Sequence, residues 1–282
     1  MKIKTVFLIF NITIVLFIIT ICIVFFTMQI DGFWNQFLPL LIALFLILVS
    51  LDVYYFFNGK LLSLMEKEDW PGAVQYLEGQ VFKKGRYTLY FVRLLAQNYL
   101  LLTDIAGIID LENKTAIANP RLVDKLALLF GTARMLQKDM PGALNFFTNR
   151  LNAKRPNKKD FLWIRFYYAF TLLLNWRFTE ASREFTVLSK ISTNAIITGL
   201  SAWFLQDVLT KAIPEQREDI NNAAQGGVKR VKENTYDEQE WRSRAAALQK
   251  DVHVTLLVQY IQDAGKWIFA AAETSGNNNN PL

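Results

Sequence analysis

The first 57 residues of the chain are dominated by two long apolar runs. Val6 to Met28 holds 23 residues without a charge, and Phe37 to Phe57 holds 21 residues with a single charge, Asp52. A bilayer core about 30 Å thick needs about 20 helical residues at 1.5 Å each. The pattern therefore predicts a transmembrane helical hairpin over residues 1–58, with spans at about 6–28 and 37–57.

The alternative for the first run is a cleaved signal peptide. The run is longer than the apolar core of such a peptide, and FTMQIDG after it holds no small-residue cleavage pattern. Lys2 and Lys4 precede the first run, several lysines follow the second, and the short segment between the runs has none. Because lysine and arginine stay on the cytoplasmic side, we expect both termini and the helical domain to be cytoplasmic, at a bacterial inner membrane.

The rest of the chain shows helical spacing and almost no alternation of the β type. Segments 87–102, 121–136 and 160–174 each carry apolar residues at i, i+3, i+4 and i+7. Segment 194–213 also indicates a helix, whereas Gly226 and Gly227 predict a helix break in the polar stretch that follows it. The predicted fold class is all-α.

A ten-residue segment occurs twice in closely similar form. EDWPGAVQYL spans 68–77, and KDMPGALNFF spans 138–147. The aspartate at the second position of each segment can accept a hydrogen bond from the first turn of a helix, and proline suits that turn because no donor is needed there. The copies share this aspartate, a small residue and a large residue four positions later: Asp69, Ala73 and Leu77 in the first, and Asp139, Ala143 and Phe147 in the second.

A looser copy, NWRFTEASREF, contains Ala181 and Phe185, and a weaker one surrounds Ala106. These repeats resemble the tetratricopeptide family, a helix–turn–helix unit of 34 residues, over about residues 59–191. That family has a small residue at its eighth position, alanine at its twentieth and an aromatic residue at its twenty-fourth. The second repeat fits two registers, one through Ala106 and one through Ala96 and Tyr99.

The resemblance implies a TPR-like α-solenoid over 59–191, followed by C-terminal capping helices over 192–272 and a disordered tail over 273–282. Stacked helix pairs of this kind form a concave surface that binds an extended peptide or a helix. On the family's pattern, the residues that pack the repeats together are Ala73, Leu77, Ala106, Gly131, Ala143, Phe147, Ala169, Ala181 and Phe185.

The chain has a net charge of +6, but only one local cluster of basic residues bears on the predicted function. One cluster of basic residues falls within ten positions without an acid between them: Arg150, Lys154, Arg155, Lys158 and Lys159. One interpretation is a solvated loop between helices, and the other is a patch that faces anionic lipid headgroups. No nucleic-acid-binding motif accompanies the cluster, so we do not expect a nucleic-acid partner.

The candidate chemistry is sparse. The chain has one histidine, His253, and one cysteine, Cys22, and it lacks the common zinc-protease, P-loop and dinucleotide-binding motifs. We therefore expect no catalytic residues, no metal site, no cofactor and no enzyme activity.

The sequence thus predicts a membrane-anchored scaffold or adaptor that recruits or organises protein partners. One alternative is a structural component of a large envelope assembly, such as the collar of spirochaete periplasmic flagellar motors, which would place the domain in the periplasm. Another is an accessory subunit of a membrane enzyme or transporter, with the spans packing on a partner through Asn11 or Asp52. The partner's identity, the groove residues and the oligomeric state do not follow from the sequence.

Overall fold

The computed structural model describes residues 3–28, 33–153, 160–235 and 237–270. Within these ranges the regular elements are helical, and no strand occurs. The all-α prediction is therefore confirmed for this part of the chain. Two compact units can be distinguished, Met1–Arg86 and Tyr87–Leu282. The predicted disordered tail lies outside the described residues.

The first unit consists of α1 (Ile3–Met28), α2 (Phe33–Glu66) and α3 (Trp70–Glu78), followed by a π-helical turn (Gly79–Lys83). By length and composition, one helix in the described chain can cross a membrane, through Phe7–Val24 of α1. A bend of 68° separates Ile42–Val53 from Asn58–Glu66 in α2, and α2 passes the same test only if both parts count as one span.

Side-chain contacts between described residues join α1 to α2. The rings of Phe7 and Tyr55 stack with centroids 4.3 Å apart. Asn11 Nδ2 donates a hydrogen bond to Asp52 Oδ1 at 2.7 Å. Most other described side chains of α1 are apolar and exposed. The hydrogen bond therefore pairs Asn11 with Asp52, while many apolar side chains of α1 remain exposed.

The second unit is a succession of helices with short connections. They are α4 (Leu89–Leu101), α5 (Ile105–Ala118), α6 (Pro120–Lys125), α7 (Ala127–Leu136), α8 (Met140–Leu151), α9 (Phe161–Leu174), α10 (Phe178–Ile191), α11 (Ala195–Phe204), α12 (Thr210–Ala212), α13 (Arg217–Asn234), α14 (Glu238–Leu248) and α15 (Val258–Ala270). Three shorter turns are Leu205–Leu209, of the π type, and Pro214–Gln216 and Val252–Leu257, of the 3₁₀ type.

One turn geometry joins four helix pairs: pair 1 is α2–α3, pair 2 is α4–α5, pair 3 is α7–α8 and pair 4 is α9–α10. The residue before the second helix's N-cap always has a left-handed backbone, with φ of 55°, 58°, 63° and 60° at Glu68, Thr103, Lys138 and Trp176. Its N–H donates to the carbonyl three residues earlier, and the N-cap's N–H donates to the carbonyl five residues earlier. This is the Schellman arrangement, which satisfies the last carbonyls of the first helix.

Three of the four turns also carry a side-chain cap. Asp69, Asp104 and Asp139 accept hydrogen bonds from the backbone N–H of Gly72, Gly107 and Gly142 at 3.0, 2.9 and 2.9 Å. The capping role expected of Asp69 and Asp139 is therefore present. Arg177 occupies the same position in pair 4 without a side-chain cap.

The turns fix the register of the second repeat. The residue four positions after each cap is Ala73, Ile108, Ala143 or Ala181, and all four are fully buried. Ala106, by contrast, is exposed. The prediction that Ala106 packs between helices is wrong, because the alanine match places the repeat two residues too early. Ala96, which marks the other register, is fully buried.

The remaining residues assigned to repeat packing lie inside the fold; they are Leu77, Gly131, Phe147, Ala169 and Phe185. Gly131 shows why size matters there. A Cβ atom on Gly131 would lie 2.2 Å from Cζ of Phe147, so the ring of α8 occupies the space that a side chain on α7 would need.

Helix pairs 2 to 4 pack in chain order, with α5 against α7, α8 against α9, and α10 against α11. Between pairs 2 and 3, Arg134 forms a bidentate contact with Glu112, with N–O distances of 3.0 and 2.9 Å. Between pairs 3 and 4, Asn175 Nδ2 donates to the Met140 carbonyl at 3.0 Å. The turns of pairs 3 and 4 are therefore in direct contact.

The predicted helix break at Gly226 and Gly227 is wrong, since α13 runs through both. A Cβ atom on Gly227 would lie 2.9 Å from Cβ of Ala202 and 3.2 Å from Cβ of Ser189. Gly227 thus allows α13 to approach α10 and α11 closely, and this packing overrides the low helix propensity of glycine.

In the last helices, buried Trp241 donates from Nε1 to the Ile261 carbonyl at 3.1 Å.

Candidate partner-binding cavity

An open cavity of about 360 Å³ lies along the first helices of pairs 2 to 4. We call it the first-helix cavity. Its polar lining consists of Arg93 and Gln97 on α4, Lys125 on α6, Asp160 at the start of α9, and Lys250, Asp251 and His253 from the segment before α15. Its apolar lining consists of Leu126, Leu128, Leu129, Trp163 and Val252.

The cavity owes its shape to the repeated turn. Each turn reverses the chain in the same way. The first helices of pairs 2 to 4, which are α4, α7 and α9, therefore all lie on one side of the stacked pairs. Segment 250–257 closes the cavity from the C-terminal part of the chain. Its anchors are Val254 and Leu257, which are both fully buried.

Aromatic side chains of α9 hold this closing segment. The hydroxyl of Tyr167 donates a hydrogen bond to the His253 carbonyl. The ring of Trp163 meets the imidazole of His253 edge-on at a centroid distance of 5.2 Å. Burial raises the pKa of Tyr167 well above its usual value, so its hydroxyl stays protonated and remains a donor.

His253 is a partly buried ionisable group of the lining. Burial lowers its pKa, while the nearby carboxylates of Asp251 and Asp160 act in the opposite direction. The imidazole is therefore neutral at neutral pH. Its Nε2 atom is buried and has no hydrogen-bond partner among the described residues.

The charges of the lining are mixed. Arg93, Lys125 and Lys250 are basic, and Asp160 and Asp251 are acidic. The basic groups exceed the acidic ones by one, 3 − 2, and the basic side chains are solvent-exposed. Such a surface offers hydrogen bonds and ion pairs to a polar chain of either sign. Among the described residues, no group of three His, Cys, Asp or Glu side chains is placed to hold a metal ion.

The predicted lipid patch falls mostly outside the described residues, which exclude Lys154, Arg155, Lys158 and Lys159. Arg150 is described and is engaged within the fold. Its guanidinium pairs with Asp124 at 3.3 Å and lies 4.8 Å from the ring centroid of Phe146.

The residues predicted from the repeat pattern do not line the cavity. All of them except Ala106 lie inside the fold, whereas the cavity is formed by residues on the open side of the first helices. Its closing segment has no counterpart in the repeat. The repeat pattern therefore indicates residues that build the site and misses those that line it.

A family model described as "Uncharacterised Treponema protein" matches residues 107–270. This is more than half of the chain, and the chain belongs to that family. An "Uncharacterized protein" of Treponema pallidum (strain Nichols) is 27% identical over 230 residues, which cover 79% of this chain and 72% of the relative. No solved structure matches the chain.

Proposed function

We propose that this member of the Treponema family is a membrane-anchored, tetratricopeptide-like scaffold whose first-helix cavity binds a segment of a protein partner. The observation that carries the proposal is the fourfold repeated turn. It aligns the first helices of pairs 2 to 4 along one open cavity with polar and apolar lining. Helical repeats with such surfaces bind extended peptides or helices.

Two features of the first unit support the membrane anchor. Phe7–Val24 is long and apolar enough to cross a bilayer. The Asn11–Asp52 hydrogen bond gives two polar side chains a partner in each other, which reduces the cost of placing them in a membrane. We propose that α1 and the apolar part of α2 form a two-span anchor, with the second unit on the cytoplasmic side.

Cross-linking from the cavity tests partner binding. A photoactivatable amino acid replaces Gln97, which lines the cavity, in the full chain expressed in its native membrane. The matched control carries the same amino acid at Lys114, on the second helix of the same pair and about half exposed. The proposal expects discrete protein adducts from position 97 and none of these from position 114. Equal adduct patterns from both positions would contradict it.

A second candidate function is a structural part of an envelope assembly, with the second unit in the periplasm. The observation that favours it is the relative from Treponema pallidum, a spirochaete, because the flagellar-motor collar is a spirochaetal assembly. A compartment-specific reporter fused after Leu282 separates the candidates. Activity of a cytoplasmic reporter supports the scaffold as proposed, and activity of a periplasmic reporter supports the assembly.

A further inference from the structure

Large apolar side chains are exposed around the turns of helix pairs 2 to 4. We call this set the turn-edge surface; its members and their exposed fractions are Leu101 (61%), Leu102 (40%), Leu136 (43%), Leu174 (36%) and Trp176 (80%). Single exposed leucines are common in folded proteins, but a group that recurs at one structural position is informative.

The repeat places these residues at one edge of the second unit. Leu101, Leu136 and Leu174 each stand two residues before the left-handed residue of their turn. They are therefore equivalent positions in successive pairs. The hydrogen bond from Asn175 to the Met140 carbonyl shows that the turns of pairs 3 and 4 touch. Exposed leucines from different pairs are thus brought to the same side of the fold.

Trp176 is the most exposed of the five. It adopts the left-handed backbone with φ 60°, which favours glycine and disfavours an aromatic residue. Its ring contacts Phe178 edge-on at 5.7 Å, yet 80% of the residue remains exposed. The tryptophan therefore contributes little to the packing of its own turn, and its backbone conformation is an unfavourable one. A role at the surface accounts for both facts.

We propose that the turn-edge surface inserts into the headgroup region of the lipid bilayer. Tryptophan is enriched at that depth because its ring is amphipathic, and leucine side chains gain from contact with the acyl boundary. The inference rests on the proposed membrane anchor, since α1 keeps a bilayer within reach of the same chain.

The charges around the surface favour apolar insertion over electrostatic adsorption. Asp104 and Asp139 cap helices, and Arg177 pairs with Glu180 at 2.5 Å. Lys138 adds a positive charge at the turn of pair 3. Because acids and bases nearly balance, the surface should bind uncharged phosphatidylcholine and respond weakly to salt. The five residues do not line the first-helix cavity; they protrude at separate turns, which suits a deformable lipid layer.

Fluorescent labelling of the full chain in phosphatidylcholine vesicles tests the proposal. Trp176→Cys in a Cys22→Ser background carries an environment-sensitive thiol probe, and quencher groups are attached to the lipid near the headgroup. The matched control is Ile117→Cys, which is also apolar and is 87% exposed, but lies at the end of α5 far from the turns. We expect quenching of the probe at position 176 to be several-fold stronger than at position 117, with a blue-shifted emission.

Equal, weak quenching at positions 176 and 117 would overturn the proposal. The proposal would also be overturned if water-soluble iodide quenches the probe at position 176 in purified vesicles but not in native membranes, because a protein would then cover the surface. The unmodified chain labelled at Cys22, within α1, tests the anchor separately. Lipid quenching at Cys22 without quenching at 176 refutes the turn-edge inference and leaves the anchor intact. The reverse result refutes the anchor and supports insertion of the turns.

Discussion

The contact between Gly131 and Phe147 allows a direct test of how helix pair 3 is packed. In the substitution Gly131→Ala, the new Cβ would lie 2.2, 2.6 and 2.9 Å from three atoms of the Phe147 ring. The ring has little room to withdraw. It is fully buried and stacks on Tyr167 with centroids 5.6 Å apart. Either the ring or the backbone of α7 must therefore move.

Two opposing effects set the magnitude. Replacing glycine by alanine inside a helix gains about 1 kcal/mol from propensity. Inserting a methyl group into a filled core costs about 1–3 kcal/mol, and contacts this short favour the upper part of that range. We expect a net loss of about 1–2 kcal/mol in the free energy of unfolding. For a unit of this size that corresponds to a Tm lower by roughly 2–8 °C.

Thermal unfolding of the full chain in detergent, followed by far-UV circular dichroism, measures the effect. Gly226→Ala is the matched control, because Gly226 is helical and exposed, and a methyl group there would have no neighbouring atom within 4 Å. It should raise stability by about 0.5–1 kcal/mol. Combining Gly131→Ala with Phe147→Leu should cost less than the sum of the two single changes, since the shorter side chain makes room. A Gly131→Ala variant as stable as the parent, or strict additivity, would refute the described packing.

Three further predictions concern the turns and the cavity. Lys138→Gly should stabilise the chain by up to about 1 kcal/mol in denaturant titrations, because the backbone at Lys138 is left-handed. Gln137→Gly, one residue earlier in a right-handed conformation, should destabilise the chain. Equal effects of the two substitutions would contradict the turn geometry. Asp139→Ala should cost about 1 kcal/mol through loss of the cap, and Arg177→Ala, which removes no cap, should cost less in the same titration. Because burial lowers the pKa of His253 below 6.5, the unfolded chain takes up a proton before the folded chain does. Stability should therefore be steady above about pH 6.5 and decline as the pH falls below it, and His253→Asn should remove that part of the decline in unfolding measured across this range.

Sequence patterns predicted the helix pairs correctly where residues at the turn itself mark the start of the second helix. The capping aspartate followed by proline was enough to mark the second helices of pairs 1 and 3. The alanine pattern set pair 2 in the wrong register, because it followed the alanine at 106 instead of the cap at Asp104. Ile108 takes the buried position there, and no propensity rule favours isoleucine at a close helix contact.

Other features depend on residues that are distant in the chain. The helix through Gly226 and Gly227 exists because Ala202 and Ser189 pack against it, which no local rule detects. The left-handed residues at the turns are Glu68, Thr103, Lys138 and Trp176, none of which is glycine, so the usual sequence signal for this conformation is missing. The first-helix cavity joins Arg93 to His253 across 160 residues (253 − 93), and periodicity carries no information about such a contact.

The alignment of successive helix pairs underlies both the cavity and the turn-edge surface, and the contact between turns 3 and 4 tests it most directly. Met140→Cys and Asn175→Cys in a Cys22→Ser background should be joined within one chain by a short thiol-reactive linker, because the Asn175 side chain reaches the Met140 carbonyl at 3.0 Å. The control pair Met140→Cys and Ile117→Cys should not be joined, since Ile117 lies at the opposite end of α5 from its turn. Efficient linkage of the first pair alone is the predicted result. Failure to link that pair in chains that keep their helical circular dichroism, or equal linkage of both pairs, would contradict the alignment.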